Sequence, residues 1–355
     1  MNILIFGGTG AMGTHLVSIL AARGVKCFVT TRRHLENKEN VEYLVGDAHD
    51  INFIKSIFSI RQWDAIVDFM KYSTKDFESR VDLLLSNTKQ YIYLSSSRVY
   101  AENKELLKEN SPLLLDVCQD TEYLQTDEYA LAKARQERIL RKSGKNNWTI
   151  IRPYITFNEQ RLQLTALEKE SWLYRALKGK TIVLSKDLLG RTTTLTYGYD
   201  VARAITVLIG DDTVLGEIFH ITNSKSLRWK DILSLYLSVI EKNLGFTPKV
   251  KIVDQWQPYM GGNKYQVRWD RLYDRKFDNT KIGKYIDIST FKDTQVALSE
   301  CLESFILNPQ FKQINWKHEA LKDKVTGEWT NIREIVGFKK KIQYFLTRIG
   351  VNKIL

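Results

Sequence analysis

Met1-Asn2-Ile3-Leu4-Ile5-Phe6-Gly7-Gly8-Thr9-Gly10-Ala11-Met12-Gly13 opens the chain. A run of strand-type apolar residues passes directly into a glycine-rich turn. A helical pattern follows, with Leu16, Ile19, Leu20 and Ala22 as its apolar positions. Strand, glycine turn and helix in this order make the first unit of a dinucleotide-binding domain. Gly7 can take the φ that a tight turn needs, and Gly10 has no side chain to keep a pyrophosphate from the backbone. Gly13 allows the helix to pack closely on the strand. The phosphates then sit at the positive end of that helix. An ordinary glycine-rich β-α turn is the plainer alternative.

Outward from this stretch, short apolar runs alternate with amphipathic segments. Strands are expected at Asn2–Phe6, Lys26–Thr30, Val41–Val45, Ala65–Asp68, Gln90–Leu94 and Trp148–Ile151, with helices between them. That alternation predicts an α/β fold, a doubly wound parallel sheet of Rossmann type covered on both faces. After Arg152-Pro153 the pattern becomes mixed. The expected division is a dinucleotide-binding domain at 1–152, to which later segments return, and a smaller mixed α/β substrate domain over 153–308. A basic C-terminal extension follows at 309–355.

The chain has 355 residues, 43% of them hydrophobic, enough for one large α/β unit or two unequal domains. No run approaches the length needed to span a bilayer. Because the chain opens on what reads as a core strand, no signal peptide is expected. Cys27, Cys118 and Cys301 are few, odd in number and widely spaced, and the five histidines show no ligand spacing. These point to a reducing, cytoplasmic compartment and to no metal site. The net charge is +12, and the last forty-seven residues carry ten Lys/Arg against four Asp/Glu. Such a balance suits anionic substrates, nucleic acid or an acidic membrane surface, or simply a solvated face.

Tyr129-Ala130-Leu131-Ala132-Lys133 is one of three Tyr-x-x-x-Lys runs, the others being Tyr100…Lys104 and Tyr174…Lys178. Only Tyr129 stands in an alanine-rich helical run after a serine-rich strand end and before Ile150-Ile151-Arg152-Pro153. On a helix, residues four apart share a face. An ammonium beside a phenol favours the phenolate, which can take a hydroxyl proton as hydride leaves and return it in reverse.

Taken together, Gly7-x-x-Gly10-x-x-Gly13, Ser95-Ser96-Ser97, Tyr129…Lys133 and Arg152-Pro153-Tyr154 resemble the extended short-chain dehydrogenase/reductase family. That group holds nucleotide-sugar epimerases, dehydratases and ketoreductases, and the resemblance runs from Met1 to about Leu307. It implies Tyr129 as acid/base, Lys133 as its partner, and Ser96, four residues before the Tyr of Val99-Tyr100, as the hydroxyl on the reacting sugar oxygen. It implies cofactor contacts from Gly7, Thr9, Gly10, Ala11, Met12, Gly13, Asp47, Phe69, Met70, Tyr129, Lys133 and Pro153.

NAD-specific relatives place an acid after the second strand, whereas this chain has Thr30-Thr31-Arg32-Arg33. Arg32 and Arg33 suit a 2′-phosphate, so NADP is favoured, with NAD the alternative. The fourth strand departs from the family's His-x-Ala-Ala type ending with Val67-Asp68-Phe69-Met70. On the substrate side the resemblance points to Ser97, Arg98, Tyr154, Arg161 and Arg191. The arginine usually found seven residues before Asp200 is replaced by Thr193. Dehydratases of the family carry acid just after the catalytic Ser/Thr. Ser97 and Arg98 stand there instead, which disfavours dehydration unless Asp127 or Glu128 substitutes.

The expected function is an NAD(P)-dependent oxidoreductase or epimerase acting on a nucleotide-linked sugar through a keto intermediate. The alternative is a non-catalytic NADP-sensing or RNA-binding protein of the same fold, although nucleic acid is not the expected partner. The resemblance implies a homodimer. Gly337-Phe338-Lys339-Lys340-Lys341-Ile342-Gln343-Tyr344-Phe345-Leu346 is basic and amphipathic, a pattern suited to peripheral membrane contact or to a helix packed on its own domain.

Overall fold

The computed structural model describes residues 1–350 and contains two compact units, each woven from three stretches of chain. The first takes residues 1–158, 194–225 and 275–294; the second takes 159–193, 226–274 and 295 onward. These breaks differ from the expected divisions at 152/153 and 308/309. Residues 194–225 and 275–294 return to the first unit, and the basic extension is continuous with a stretch beginning at 295.

The first unit carries one parallel seven-stranded sheet. Its strands are β1 Asn2–Phe6, β2 Lys26–Thr31, β3 Val41–Val45, β4 Trp63–Asp68, β5 Thr88–Leu94, β6 Trp148–Pro153 and β7 Glu217–Ile221. They lie in the order β7-β6-β5-β4-β1-β2-β3. The first six are the strands expected from sequence, and β7 is an addition. The order reverses between β4 and β1, so the carboxyl ends of these strands form the crevice in which such sheets bind ligands.

The longer helices are α1 Gly13–Ala22, α2 Ile51–Phe58, α3 Tyr129–Lys142, α4 Lys169–Leu177, α5 Gly198–Leu208, α6 Trp229–Leu244, α7 Thr294–Leu307, α8 Trp316–Thr326 and α9 Phe338–Ile349. Strand residues alternate between faces, which divides the core of the first unit in two. Ile3 and Ile5 pack with Leu16 and Leu20 of α1 and with Ile205 and Leu208 of α5. Leu4 and Phe6 pack with Ile54 and Ile57 of α2 and with Leu140 of α3. Burial on both faces is why β1 reads as an unbroken apolar run.

In the second unit, Trp172 of α4 stacks on Tyr236 of α6 with ring centroids 4.7 Å apart. Ile182–Ser185 pairs in parallel with Val250–Val253. The basic extension is built into this unit: Trp316 and Ala320 of α8, Ile335, and Tyr344 of α9 bury against Tyr174 of α4. Arg175, wholly buried, reaches Glu319 and Asp323 of α8 at 2.8 Å each and Glu328 at 2.7 Å. Among the described residues no helix is long and apolar enough to cross a membrane, and no His/Cys/Asp/Glu group could hold a metal ion.

Candidate active site

The glycine turn after β1 is crowded at one end and open at the other. Gly7 sits at φ 68°, in the left-handed region. A Cβ on Gly13 would lie 2.6 Å from the Gly8 Cα, so α1 rests directly on the turn. A Cβ on Gly10 would meet only the Gly7 carbonyl oxygen, at 3.8 Å. Thr9 and Gly10 are exposed, and Ala11 and Met12 are half-buried. No side chain caps the start of α1, and its first turn holds no acid. Such an N-terminus suits a phosphate group. Gly198, at the head of α5, is part of this arrangement; a Cβ there would stand 2.4 Å from the Ala11 carbonyl oxygen.

The two crowded and open glycines should respond differently to a methyl group. Gly13→Ala is expected to cost about 1–3 kcal/mol in chemical denaturation, the usual penalty for overfilling a packed interior. Gly10→Ala is expected to leave the denaturation midpoint unchanged and to weaken nucleotide binding instead. Equal stability losses in both would remove the distinction.

Arg32 and Arg33 are exposed just beyond β2, and neither guanidinium pairs with a carboxylate among the described residues. Asp47 is exposed beyond β3 and accepts from the His49 N–H at 2.9 Å.

The unusual end of β4 has a physical role. Asp68 is fully buried and accepts from the Met70 N–H at 2.8 Å, the Tyr91 hydroxyl at 2.7 Å and the Tyr72 hydroxyl at 3.1 Å. Burial raises the pKa of its carboxyl, against those hydrogen bonds and the charge of Lys133. The turn it holds places Phe69 and Met70 against the glycine loop: a Cβ on Gly7 would be 3.2 Å from the Met70 sulfur. It also aims the Met70 carbonyl at Lys133 Nζ, 3.4 Å away. In the sequence Asp68 is legible only as a departure from the family's strand ending, because its Tyr91 partner comes from the neighbouring strand and the turn brings Tyr72 back to it.

Lys133 is buried one turn into α3. Its Nζ donates to the Leu94 carbonyl at the end of β5, 2.7 Å away, and lies 4.4 Å from the centre of the Tyr93 ring. Burial pushes its pKa down to about 8, with Asp68 and Glu137 opposing. Tyr129, the first residue of α3, is half-buried, with the Lys71 ammonium 5.5 Å and the Arg98 guanidinium 5.3 Å from its ring centre.

The three serines after β5 separate by their partners. Ser95 Oγ is bound to Glu137, and Ser97 Oγ donates to the Arg152 carbonyl at 2.8 Å. Ser96 Oγ accepts from the Arg98 N–H at 3.2 Å, and its hydroxyl proton is committed to no group among the described residues. Lys133 on Leu94 and Arg98 beside Tyr129 bring α3 onto this serine segment.

Several residues expected on the substrate side lie in the interior. Ser97 is wholly buried, and Tyr154 is buried with its ring 5.3 Å from that of Phe277. Pro153 is buried at the end of β6. Arg152 grips Glu137 of α3, its Nε 2.9 Å from Oε1, and so ties α3 to β6. Arg98 pairs with Glu128 at 2.7 Å. Glu128 also takes the Tyr123 hydroxyl and the Ala130 N–H, while Asp127 takes the Thr74 N–H and hydroxyl. Arg161 and Arg191 belong to the second unit, where Arg161 lies 3.4 Å from Glu168. Thr193 is buried and cannot reach a phosphate as the replaced arginine would. The other two Tyr-x-x-x-Lys runs are structural: Tyr100 is buried against Arg152, and Tyr174 and Lys178 both contact Glu334.

Residues 3–222 match the NAD dependent epimerase/dehydratase family, and the chain belongs to it. The chain is 26% identical over 240 residues to a chloroplast stem-loop binding protein of 41 kDa from Arabidopsis thaliana, covering 63% of this chain and 59% of that one. It is 25% identical over 162 residues to a UDP-glucose 4-epimerase from Lacticaseibacillus casei, covering 39% and 46%. The chain thus spans less than two thirds of either relative. A dTDP-glucose 4,6-dehydratase from Bacillus anthracis, solved with NAD, superposes with a TM-score of 0.65 over 87% of this chain and 97% of the other. At 18% identity that likeness is one of fold.

Proposed function

We propose that this protein is a nicotinamide-dependent enzyme that epimerises or reduces a nucleotide-linked sugar through a keto intermediate. The observation that carries this reading is the sorting of the serines: Ser95 and Ser97 spend their hydroxyls on Glu137 and the Arg152 carbonyl, whereas Ser96 donates its own to no group among the described residues. When bound, the nicotinamide ring supplies hydride acceptance and donation. Tyr129 takes or returns the proton of the sugar hydroxyl. Lys133, held by the Leu94 and Met70 carbonyls, is the ammonium four residues along the same helix from that phenol. Ser96 donates to the reacting sugar oxygen and steadies the charge that develops there. Dehydration needs a further acid/base, and the engagement of Asp127 and Glu128 with their own partners argues against it.

Two observations on the cofactor pull in opposite directions. The B. anthracis structure holds NAD, whereas Arg32 and Arg33 pair with no carboxylate among the described residues. We give weight to the chain's own residues and read the cofactor as NADP. Fluorescence titration is expected to give NADPH the lower Kd by about 10- to 100-fold, the worth of one or two hydrogen bonds to a charged group. Replacing both arginines with alanine is expected to erase the difference. Tighter NADH binding would overturn the preference, and failure to bind either would remove the enzymatic reading.

A second reading follows from the name of the A. thaliana relative together with the +12 charge: binding of an RNA stem-loop. A gel shift surviving near-physiological salt would favour it, since purely charge-driven binding weakens steeply with salt.

A further inference from the structure

We propose that α9 is a docking surface for an anionic lipid bilayer. The helix is amphipathic, yet it is mounted with its apolar face outward. Tyr344 and Thr347 are its buried residues, and they fasten it to the second unit. The Tyr344 hydroxyl donates to Asp323 at 2.7 Å and accepts from the Thr330 N–H at 2.6 Å. On the opposite side Phe338, Ile342, Phe345 and Ile349 recur at steps of four, three and four, which is one helical face. All four are exposed, Phe338 by 77% and Phe345 by 50%. Trp329 extends this stripe, its ring 6.1 Å from that of Phe345, and Val336 stands 81% exposed just before the helix.

A monomeric protein rarely leaves such a contiguous apolar surface to water. The charges around it choose the occupant. By helical position Lys339 and Lys341 border the stripe on either side, and no acid lies in α9. Lys339 and Lys340 are exposed, and none of the three lysines has an ion-pair partner among the described residues. A second copy meeting this face would set lysines against lysines. An anionic bilayer instead takes the Phe, Ile and Trp side chains into the headgroup boundary and the lysines against its phosphates. The proposal does not depend on the enzymatic reading, because it uses none of the first unit's residues.

Co-sedimentation of the full chain with phosphatidylglycerol/phosphatidylcholine vesicles, at physiological salt, tests it. Binding is expected to the mixed vesicles and to be much weaker to phosphatidylcholine alone. Lys339→Gln, Lys340→Gln and Lys341→Gln together are expected to lower partitioning on the order of 100-fold, from about 1 kcal/mol per lysine near the surface. Ile342→Ser with Phe345→Ser is expected to abolish it. Ile342 and Phe345 are exposed by 36% and 50%, so the thermal midpoint is expected to move little, which separates loss of docking from loss of fold. No sedimentation of the parent chain overturns the proposal. So does equal binding to both vesicle types, or light scattering that finds a dimer split by Phe345→Ser.

Discussion

Tyr129→Phe is expected to lower turnover about 10²- to 10⁴-fold, the usual contribution of a positioned acid/base, while cofactor binding and the denaturation midpoint stay unchanged. The substitution is structurally mild. The Tyr129 hydroxyl makes no hydrogen bond among the described residues, and its ring meets Lys71 and Arg98 through the π face, which phenylalanine retains. The removed oxygen therefore serves no packing role. The assay is the change in nicotinamide absorbance, or product formation, with UDP- or dTDP-linked sugars. Ser96→Ala should cut the same rate by less, since it removes one hydrogen-bond donor and leaves the proton carrier. Unchanged turnover in Tyr129→Phe would end the proposed mechanism, and the RNA-binding reading would then stand first.

Arg175→Met is expected to be the most damaging single change for stability. The guanidinium is fully buried and faces Glu319, Asp323 and Glu328. Lys180 and Lys322 complete the cluster, and burial pushes both ammonium groups below their ordinary range. Methionine fills similar space, but Glu319 and Asp323, both wholly buried, each lose a counter-charge. Removal of one partner from a buried ion pair costs about 3–5 kcal/mol. Urea denaturation followed by tryptophan fluorescence should show it, because Trp172 and Trp316 lie in this unit. A loss under 1 kcal/mol would mean that the cluster behaves as surface pairs do. Acid should act in the same direction. Burial opposes ionisation of Asp323, but Lys180, Tyr344 and Arg175 hold its pKa below the ordinary carboxylate value. Its contribution is thus complete above that ordinary value and is lost as pH falls through the lowered native one.

The parts of the fold that could be read from the chain are those with local patterns. Ile3 to Phe6 is apolar because both faces of β1 are covered, and the three glycines sit where a turn, an open approach and a helix contact require them. Tyr129 and Lys133 lie four apart on one helix. What stayed hidden depends on distant segments. β7 is five residues long and contains a charged Glu217 and a buried His220, so it carries no continuous apolar run; its pairing with β6 supplies the reason it is a strand. Asp68 reads as a lapse from a motif, and only the folded chain brings the Tyr72 and Tyr91 hydroxyls onto its carboxylate. Ser97 and Tyr154 seemed exposed to substrate because a strand end looks the same in sequence whether it opens to solvent or turns inward. The tail's charge suggests a solvated extension, yet Lys322 spends its charge inside the second unit, on Glu319.

The late arrival of β7 bears on how the protein is made. When the ribosome has released the first 158 residues, six strands can already pair, but β6 has no neighbour on one side. Its partner is translated only after the first excursion into the second unit, residues 159–193, is complete. Through that interval Trp148, Ile150 and Ile151 border an unpaired strand edge, the kind of surface on which nascent chains stick to one another. A fragment stopped near residue 158 should therefore aggregate, whereas one extended past Ile221 should stay dispersed.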